Sequence, residues 1–358
     1  MNIPKNNKPA CYVTLVLCLV LIAAAGLLYG NFLRNPLVFD DEPWFENVAD
    51  IYAQLSTNFG LRWFSYASIA WTWSIAGLDL FWLRLGNLLL HAANAVVLFI
   101  FLRQLFECVA GEQKPPAVPD ALSSAWLAFF GALLFTLHPV AVYGVAYLMQ
   151  RSILMATLFS LLALLSYLQG LVRGKQVWFM VAAACYFLAI FSKEHSVMVP
   201  AVALALTFLL RRPSISLFKQ IAPVFILFGM TGLSVILMSR GVIGSAYEPT
   251  AQIMMGLMSD SSELPSELRG LDKAYIYPLS VLTQSFLFFK YLFLWILPYP
   301  GWMSVDLREP LATQFWAWPH TLGLVGFVLY GVVAVRVLLA RRTPNSMGST
   351  ANIPAIHK

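Results

Sequence analysis

The chain has 358 residues, of which 59% are hydrophobic and 11% are charged, and its formal net charge is +6. The mean hydropathy is +0.73, and several apolar runs are long enough to cross about 30 Å of hydrocarbon as helices of about 20 residues. This composition excludes a soluble multidomain protein and predicts an all-α polytopic membrane protein. The positive charge does not indicate nucleic-acid binding, because in such a chain the Lys and Arg residues of the loops set the orientation. All four cysteines lie in or at the ends of apolar runs, so no disulfide framework is predicted.

The first apolar run covers about residues 10–33 and follows Lys5 and Lys8. This is the charge layout of a signal peptide, but the run is too long and offers only a weak cleavage site. We therefore expect a retained span with a cytoplasmic N-terminus. Asp40, Asp41 and Glu42 then emerge on the outer face, where carboxylates are costly unless they are paired or used.

Eight full spans are predicted from hydropathy and loop charge. Their approximate bounds are 10–33, 81–106, 121–137, a run that ends near 169, 177–191, 197–210, 221–238 and 320–340. The Trp-rich stretch 49–79 is more typical of a helix that lies in the membrane interface.

A further apolar stretch, residues 278–297, contains Gln284 and Lys290. If it crossed the membrane, Arg341 and Arg342 would face outward, against the positive-inside rule. We therefore predict an interfacial or re-entrant helix on the outer side.

The spans form a single predicted domain, residues 1–342, followed by a short cytoplasmic tail, 343–358, that is expected to be disordered. Two outer loops are predicted: residues 39–80 carry the acidic motif, and residues 239–319 contain the re-entrant helix. Four polar clusters then face outward, namely 40–42, His138 with Arg151, 193–195 and Asp306. Four loops on one face favour one site, although the loops of any membrane protein are polar.

Five separate groups of residues, most of them containing polar side chains, lie between residues 35 and 306. They are Asp40, Asp41 and Asn47; Leu90, His91 and Asn94; Leu137, His138, Pro139, Val140, Val145, Ala146, Tyr147 and Arg151; Ser192, Lys193, Glu194, His195 and Pro200; and Leu282, Thr283 and Gln284 with 300–306. In these motifs the chain resembles the integral-membrane glycosyltransferases of the GT-C superfamily. The resemblance is closest to the membrane half of the transmembrane and tetratricopeptide-repeat O-mannosyltransferases and their bacterial relatives. It implies a GT-C-like bundle with interfacial or re-entrant helices on the outer face.

Two features depart from this family. Where the family usually has Glu a few residues after His-Pro, this chain has Tyr143 and Gly144. No helical repeats follow Arg342, so we expect the acceptor to be recognised in another way, and bacterial pilin-modifying members are the nearest match.

The resemblance implies an inverting transfer of a sugar from a polyprenyl-phosphate carrier to an acceptor hydroxyl, with a carboxylate as general base. The expected acceptor is a Ser or Thr of an exported protein such as a pilin. The expected location is the periplasmic face of a bacterial inner membrane. Asp41 is the first choice for the base and Asp40 the second, although an Asp before Pro43 could simply cap the next helix.

The departing phosphate needs positive charge, and Arg151 and Lys193 are its predicted ligands, with Arg62 and Arg240 as reserves. Each of these side chains could instead reach the lipid headgroups, and Lys193 could pair with Glu194. His138 and His195 could orient the phosphate or the acids, although a lone interfacial His is more often structural. The other residues predicted to support the site are Glu42, His91, Asn94, Tyr143, Glu194 and Asp306.

No cofactor is expected to be required. No cluster has clear metal-ligand spacing, although residues 40–42 with His195 could hold a divalent cation. The expected partners are the lipid-linked sugar, an acceptor protein or glycan and membrane lipids, and no nucleic acid. Two alternatives remain: a polyprenyl-linked sugar flippase or transporter, which should carry charges near its span centres, and a non-catalytic membrane scaffold.

Overall fold

A computed structural model describes residues 8–38, 41–46, 59–111, 120–238, 273–299, 301, 303 and 309–340. The chain divides into two compact units, of which the larger contains Met1–Met238 and the smaller Ser239–Arg342. The predicted Asp40, Arg240 and Asp306 lie outside the described residues, as does the predicted tail.

Every regular element in the described ranges is helical. The helices of the larger unit are α1 (Lys8–Tyr29), α2 (Asp41–Glu46), α3 (Trp63–Ala76), α4 (Leu80–Gly111), α5 (Asp120–Leu137), α6 (Val142–Val145), α7 (Arg151–Arg173), α8 (Gln176–Ser192), α9 (Val199–Leu210) and α10 (Ile215–Met238). Short 3₁₀ turns cover Gly30–Arg34, Pro139–Ala141, Leu148–Gln150 and Glu194–Met198. The smaller unit contains α11 (Lys273–Ile296) and α12 (His320–Ala340). The prediction of an all-α polytopic membrane protein is confirmed.

Six described helices, α1, α4, α7, α10, α11 and α12, are long and apolar enough to cross a membrane. A seventh span results if α5 and the bent segment after it count as one, whereas α8 and α9 are apolar but shorter. This count differs from the eight predicted spans. The 14 residues of α3 extend only about 21 Å, which suits the predicted interfacial helix better than a span.

Residues 278–297, predicted to be interfacial or re-entrant, lie almost entirely within α11, which is one continuous helix. Its stretch Tyr277–Ile296 meets the length and hydropathy of a span. Lys290, on this helix, forms an ion pair with Glu309 inside the smaller unit. A paired charge costs much less in an apolar helix than an isolated one, so Lys290 by itself does not argue against a crossing.

The chain bends by 52° at His138 and Pro139, directly after the end of α5. His138 is extended, with φ −65° and ψ 126°, because a residue before proline avoids the helical region. Pro139 also lacks the N–H that would continue the helix. We call residues 138–150 the outer connector. It consists of short turns, so several of its backbone polar groups need partners from elsewhere in the chain.

The largest core of the larger unit lies between α7, α8, α9 and α10. Tyr167, Phe179, Tyr186 and Phe228 are among its fully buried side chains. A Cβ at Gly170 would lie 2.7 Å from the Phe179 ring, so glycine allows α7 and α8 to pack closely as a helical hairpin.

The smaller unit depends on a close approach of α12 to α11. A Cβ at Gly323 would lie 2.4 Å from Cα of Phe286, a backbone atom that cannot turn aside. The loop before α12 is held by Thr283, whose hydroxyl accepts a hydrogen bond from the Ala312 N–H at 3.0 Å.

We expect Gly323→Ala to separate α11 from α12 and to lower the stability of the protein by about 1–3 kcal/mol, the usual cost of overpacking. The matched control in the same helix is Gly331→Ala, because a Cβ there meets nothing within 4 Å. Thermal unfolding of the purified protein in detergent measures both. Equal melting temperatures for the two variants would contradict the close packing.

Candidate functional site

A buried row of polar side chains runs along one face of α4. It consists of Arg84, Asn87, His91 and Asn94, each of which is at most 1% exposed. Their spacing of three, four and three residues places them on one side of a helix. We call these four residues the polar stripe.

Arg84 holds three separate backbone carbonyls. Its guanidinium donates to the Ala146 oxygen at 3.1 Å, to the Pro36 oxygen at 2.6 Å and to the Asn35 oxygen. It also interacts electrostatically with Asp41. Arg84 thereby connects the chain that leaves α1, the outer connector and α2, whose residues Asp41–Glu46 we call the acidic segment. The role of Arg84 is therefore structural: it holds these three parts of the chain together.

Asn87 joins the polar stripe to the outer connector and to α7. Its side-chain amide donates to the oxygens of Gly144, at 3.4 Å, and Tyr147, at 3.3 Å. Its own oxygen accepts a hydrogen bond from Nε of Arg151 at 2.8 Å. All three of these bonds lie at the end of the bundle that the predicted orientation places outside, which we call the outer end.

His91 and Asn94 continue the polar stripe deeper in the bundle. The Nε2 of His91 lies 3.1 Å from the Thr136 oxygen, and since a carbonyl only accepts, this nitrogen carries the proton. The Asn94 amide donates to the Leu154 oxygen at 3.0 Å. Tyr29 packs edge-on against His91, with ring centroids 5.3 Å apart. Both predicted supporting residues thus fix the helices on either side of the outer connector.

Asp41 is fully buried at the N-terminus of α2. One carboxylate oxygen accepts from the Leu148 N–H at 2.9 Å and the other from the Met149 N–H at 3.0 Å. These two amides begin the turn that leads into α7, where a negative charge is favoured by the helix dipole. Asp41 therefore anchors the outer connector. Its neighbour Glu42 is exposed.

Arg151, predicted as a phosphate ligand, is 3% exposed. Besides Asn87, its guanidinium donates to the Ser68 oxygen at 3.0 Å, the Thr72 hydroxyl at 2.9 Å and the Leu83 oxygen at 2.6 Å. These contacts use most of the five N–H groups of an arginine and join α3, α4 and α7. The structure thus places Arg151 as a crosslink between helices.

Lys193 and Arg62 lie in a second polar cluster at the same end. The ammonium of Lys193 donates to the side-chain oxygen of Gln150 at 3.1 Å. Gln150 closes the turn whose first amides bind Asp41, so the acidic segment and Lys193 meet at one three-residue turn. Partial burial and the positive charge of Arg62 hold the pKa of Lys193 below its usual value.

Glu194 pairs with Arg62 through both carboxylate oxygens rather than with Lys193, the alternative open from sequence. The Arg62 guanidinium lowers the pKa of Glu194 to about 2. Arg62 has a left-handed backbone, with φ 61°, in the residue before α3. The predicted His195 is exposed beside this pair.

His138 and Tyr143 lie within the outer connector. Nδ1 of His138 accepts from the Val140 N–H at 3.2 Å, and the His138 carbonyl accepts from the Tyr29 hydroxyl at 3.1 Å. His138 is buried and supports the bend, whereas Tyr143 is half-buried on α6. Among the residues that the structure describes, no three His, Cys, Asp or Glu side chains form a group that could hold a metal ion.

Sequence reasoning missed Arg84, Asn87 and Gln150. A signal for the first two was present, because they extend the spacing of His91 and Asn94 toward the start of the same helix. Gln150 had no such signal, since its role depends on Lys193, which follows it only after α7 and α8.

We expect Asp41→Asn to lower the melting temperature of the protein. An amide keeps one acceptor oxygen but turns an NH₂ group toward the second backbone N–H, and a buried polar group without a partner costs about 1–3 kcal/mol. Glu42→Gln is the matched control, the same acid-to-amide change at the exposed neighbour, and should melt like wild type. A stable Asp41→Asn protein would show that the outer connector does not depend on this anchor.

The Arg62–Glu194 pair should show a defined pH dependence. The pKa of Glu194 falls from 4.5 to about 2 on folding, so its contribution to stability is complete above pH 4.5 and disappears as the pH falls toward 2. Because both side chains are more than a third exposed, the contribution is at most about 1 kcal/mol.

Glu194→Gln should therefore melt below wild type at pH 7 and close to it near pH 2. Glu107→Gln, which removes the exposed pair Arg103–Glu107, controls for general charge effects. A difference between Glu194→Gln and wild type that does not shrink in acid would contradict the pairing.

Comparison with known proteins gives one distant relation. No protein-family model matches the chain, and no solved structure matches it. A mouse protein, "Protein O-mannosyl-transferase TMTC1", is 27% identical over 187 residues, which cover 47% of this chain and 18% of the relative. The chain thus spans less than a fifth of the relative's length. This similarity supports a distant relation between this chain and that protein over the matched residues.

Proposed function

We propose that the protein transfers a sugar from a polyprenyl-phosphate carrier to an acceptor hydroxyl at the outer end of its helical bundle. One observation carries this proposal: the acidic segment and Lys193 meet at the turn Leu148–Gln150. The distant similarity to an O-mannosyltransferase supports the general class of reaction.

In this reaction the acceptor oxygen attacks the anomeric carbon of the sugar from the face opposite the phosphate. The bond between the acceptor oxygen and this carbon forms as the bond to the phosphate oxygen breaks. The phosphate, still attached to its lipid, leaves with the electron pair of the broken bond. The proton of the acceptor hydroxyl passes to a carboxylate. Inversion at the anomeric carbon follows from the single displacement.

The two aspartates take different parts in this scheme. Asp41 is buried and holds two backbone amides, so we assign it to positioning. Asp40, the other acid of the predicted pair, is the proposed general base. A hydroxyl is a poor nucleophile at neutral pH, and a correctly placed base contributes about 10²–10⁴-fold.

The contacts of the predicted phosphate ligands show which of these cations still has donors to offer. Arg151 is committed to four protein acceptors and Arg62 to Glu194. Lys193 gives one hydrogen bond to Gln150, and an ammonium has three donors. Among the predicted phosphate ligands that the structure describes, Lys193 is therefore the best candidate to bind the phosphate.

The acceptor is proposed to be a Ser or Thr hydroxyl of an exported protein, such as a pilin, and the outer end would face the periplasm of a bacterial inner membrane. A carrier whose lipid chain lies in the bilayer presents its phosphate at this level. The apolar helices then serve to admit the lipid from the side.

The test is transfer by the purified protein in lipid vesicles from synthetic farnesyl-phosphate mannose to a Ser/Thr peptide, followed by mass spectrometry. We expect Asp40→Asn to lose about 10²–10⁴-fold in rate. Its melting temperature is measured alongside, so that a loss of rate is separated from a loss of folding. Glu107→Gln, an acid-to-amide change outside the predicted site residues, should retain activity.

Full activity of Asp40→Asn would remove this acid from the mechanism. Movement of the labelled donor across the vesicle membrane without transfer would instead indicate a flippase. Absence of both transfer and movement, with several sugars tried on the same carrier, would leave the scaffold alternative.

A further inference from the structure

A cavity opens beside the first turn of α4. Its volume is about 560 Å³, and it is lined by Arg34, Leu78, Asp79, Leu80, Phe81 and Trp82. Small-molecule sites commonly measure about 300–1,000 Å³. None of these residues was among the predicted site residues, so the cavity is a site that sequence reasoning did not propose.

Two residues of opposite charge, Arg34 and Asp79, line this cavity. Arg34 lies over the Phe81 ring, with its guanidinium carbon 5.8 Å from the ring centroid. One oxygen of Asp79 accepts from the Phe81 N–H at 2.9 Å and so begins α4. Neither charge belongs to the ion pairs found among the described residues. The cavity therefore offers a guanidinium and a carboxylate to the same ligand.

An aromatic surface completes the lining. Trp82 is 50% exposed, and its ring stands perpendicular to that of Phe81 at a centroid distance of 5.2 Å. An indole can pack against the C–H face of a pyranose ring, and the carboxylate of Asp79 can accept hydrogen bonds from sugar hydroxyls. A guanidinium binds phosphate through two parallel hydrogen bonds.

The position of the cavity suits a ligand carried on a lipid. Arg34 ends one candidate span, Tyr12–Arg34, and Leu80 begins another, Leu80–Ala110. A group at these two span ends lies where apolar chains meet polar headgroups. A ligand whose lipid tail lies in the bilayer can therefore present its phosphate there without leaving the membrane.

The cavity also shares a wall with the acidic segment. Leu80 packs in the same apolar cluster as Leu37 and Phe45, the latter on α2. Arg84 fixes the carbonyls of the two residues that follow Arg34. Arg34 is thus followed directly by backbone that Arg84 holds in place.

We propose that this cavity binds the glycosyl-phosphate headgroup of the lipid-linked donor, with Arg34 on the phosphate and Trp82 and Asp79 on the sugar. This inference rests on the proposed function and adds Arg34 to Lys193 as a second cation for the donor phosphate. The chemistry that selects this occupant is the combination of a cation, a hydroxyl-binding acid and an exposed indole at span ends.

Binding to the full-length protein in detergent tests the proposal without requiring transfer. The two probes are farnesyl phosphate and farnesyl-phosphate mannose, and their Kd values are measured by titration calorimetry. We expect Arg34→Gln to weaken both probes about tenfold or more, because charge-assisted hydrogen bonds are lost. Trp82→Ala and Asp79→Asn should weaken only the mannose-bearing probe. Arg34→Lys should recover part of the loss.

The matched control is Arg173→Gln. Arg173, the last residue of α7, lies over the Trp178 ring at 5.0 Å. It forms the same kind of cation–aromatic pair outside the cavity, and its replacement should leave both Kd values unchanged. All variants should melt like wild type, since the altered side chains are exposed.

Wild-type Kd values for Arg34→Gln would overturn the proposal, as would a loss of farnesyl-phosphate binding in Lys193→Gln but not in Arg34→Gln. Displacement of the probe by phosphatidylethanolamine at equal concentration would identify a general lipid-headgroup site and would also overturn it. Donor binding that depends on Arg34 in a protein that transfers no sugar would preserve this inference and defeat the proposed function. Transfer that is indifferent to Arg34 would do the reverse.

Discussion

The outer connector can exist only because other parts of the chain supply partners for its backbone. The interruption after α5 leaves backbone amides and carbonyls without helical partners. Each such group that is buried away from water and unpaired would cost several kcal/mol. The polar stripe supplies donors to the carbonyls, and Asp41 accepts from two amides. The irregular backbone and the buried polar side chains are thus two halves of one arrangement.

This arrangement has consequences for chemistry at the same end of the bundle. A site works best when its groups are held rigidly by surrounding contacts. Arg84 fixes the segment after Arg34, Asp41 fixes the turn that carries Gln150, and Gln150 holds Lys193. The charged residues near the headgroup level are therefore attached to one connected framework. For the proposed transfer, this framework would hold the charged residues in fixed positions.

Much of the fold follows from the sequence, because long apolar runs in a membrane protein form helices whatever their neighbours are. The bend at His138 follows equally from the proline after it. The site is less accessible to such reasoning. Arg151 was predicted as a phosphate ligand because it is charged and near the outer end, and its hydrogen-bond partners on α3 and α4 could not be read from the sequence. Glu194 had a lysine next to it in sequence, but Arg62 reaches it with the better geometry of a guanidinium. These pairings are decided by tertiary contacts between segments far apart in the chain.

Gly86 shows how closely the parts of this framework depend on one another. A Cβ there would lie 2.9 Å from a terminal nitrogen of Arg151, so the absence of a side chain on α4 makes room for the head of an arginine on α7. The two positions are steric complements. A side chain at the first position would push this guanidinium aside and disturb its hydrogen bonds to Asn87 and to the carbonyl of Leu83. The size of residue 86 and the bonding of Arg151 therefore depend on each other, although neither residue needs to touch a substrate.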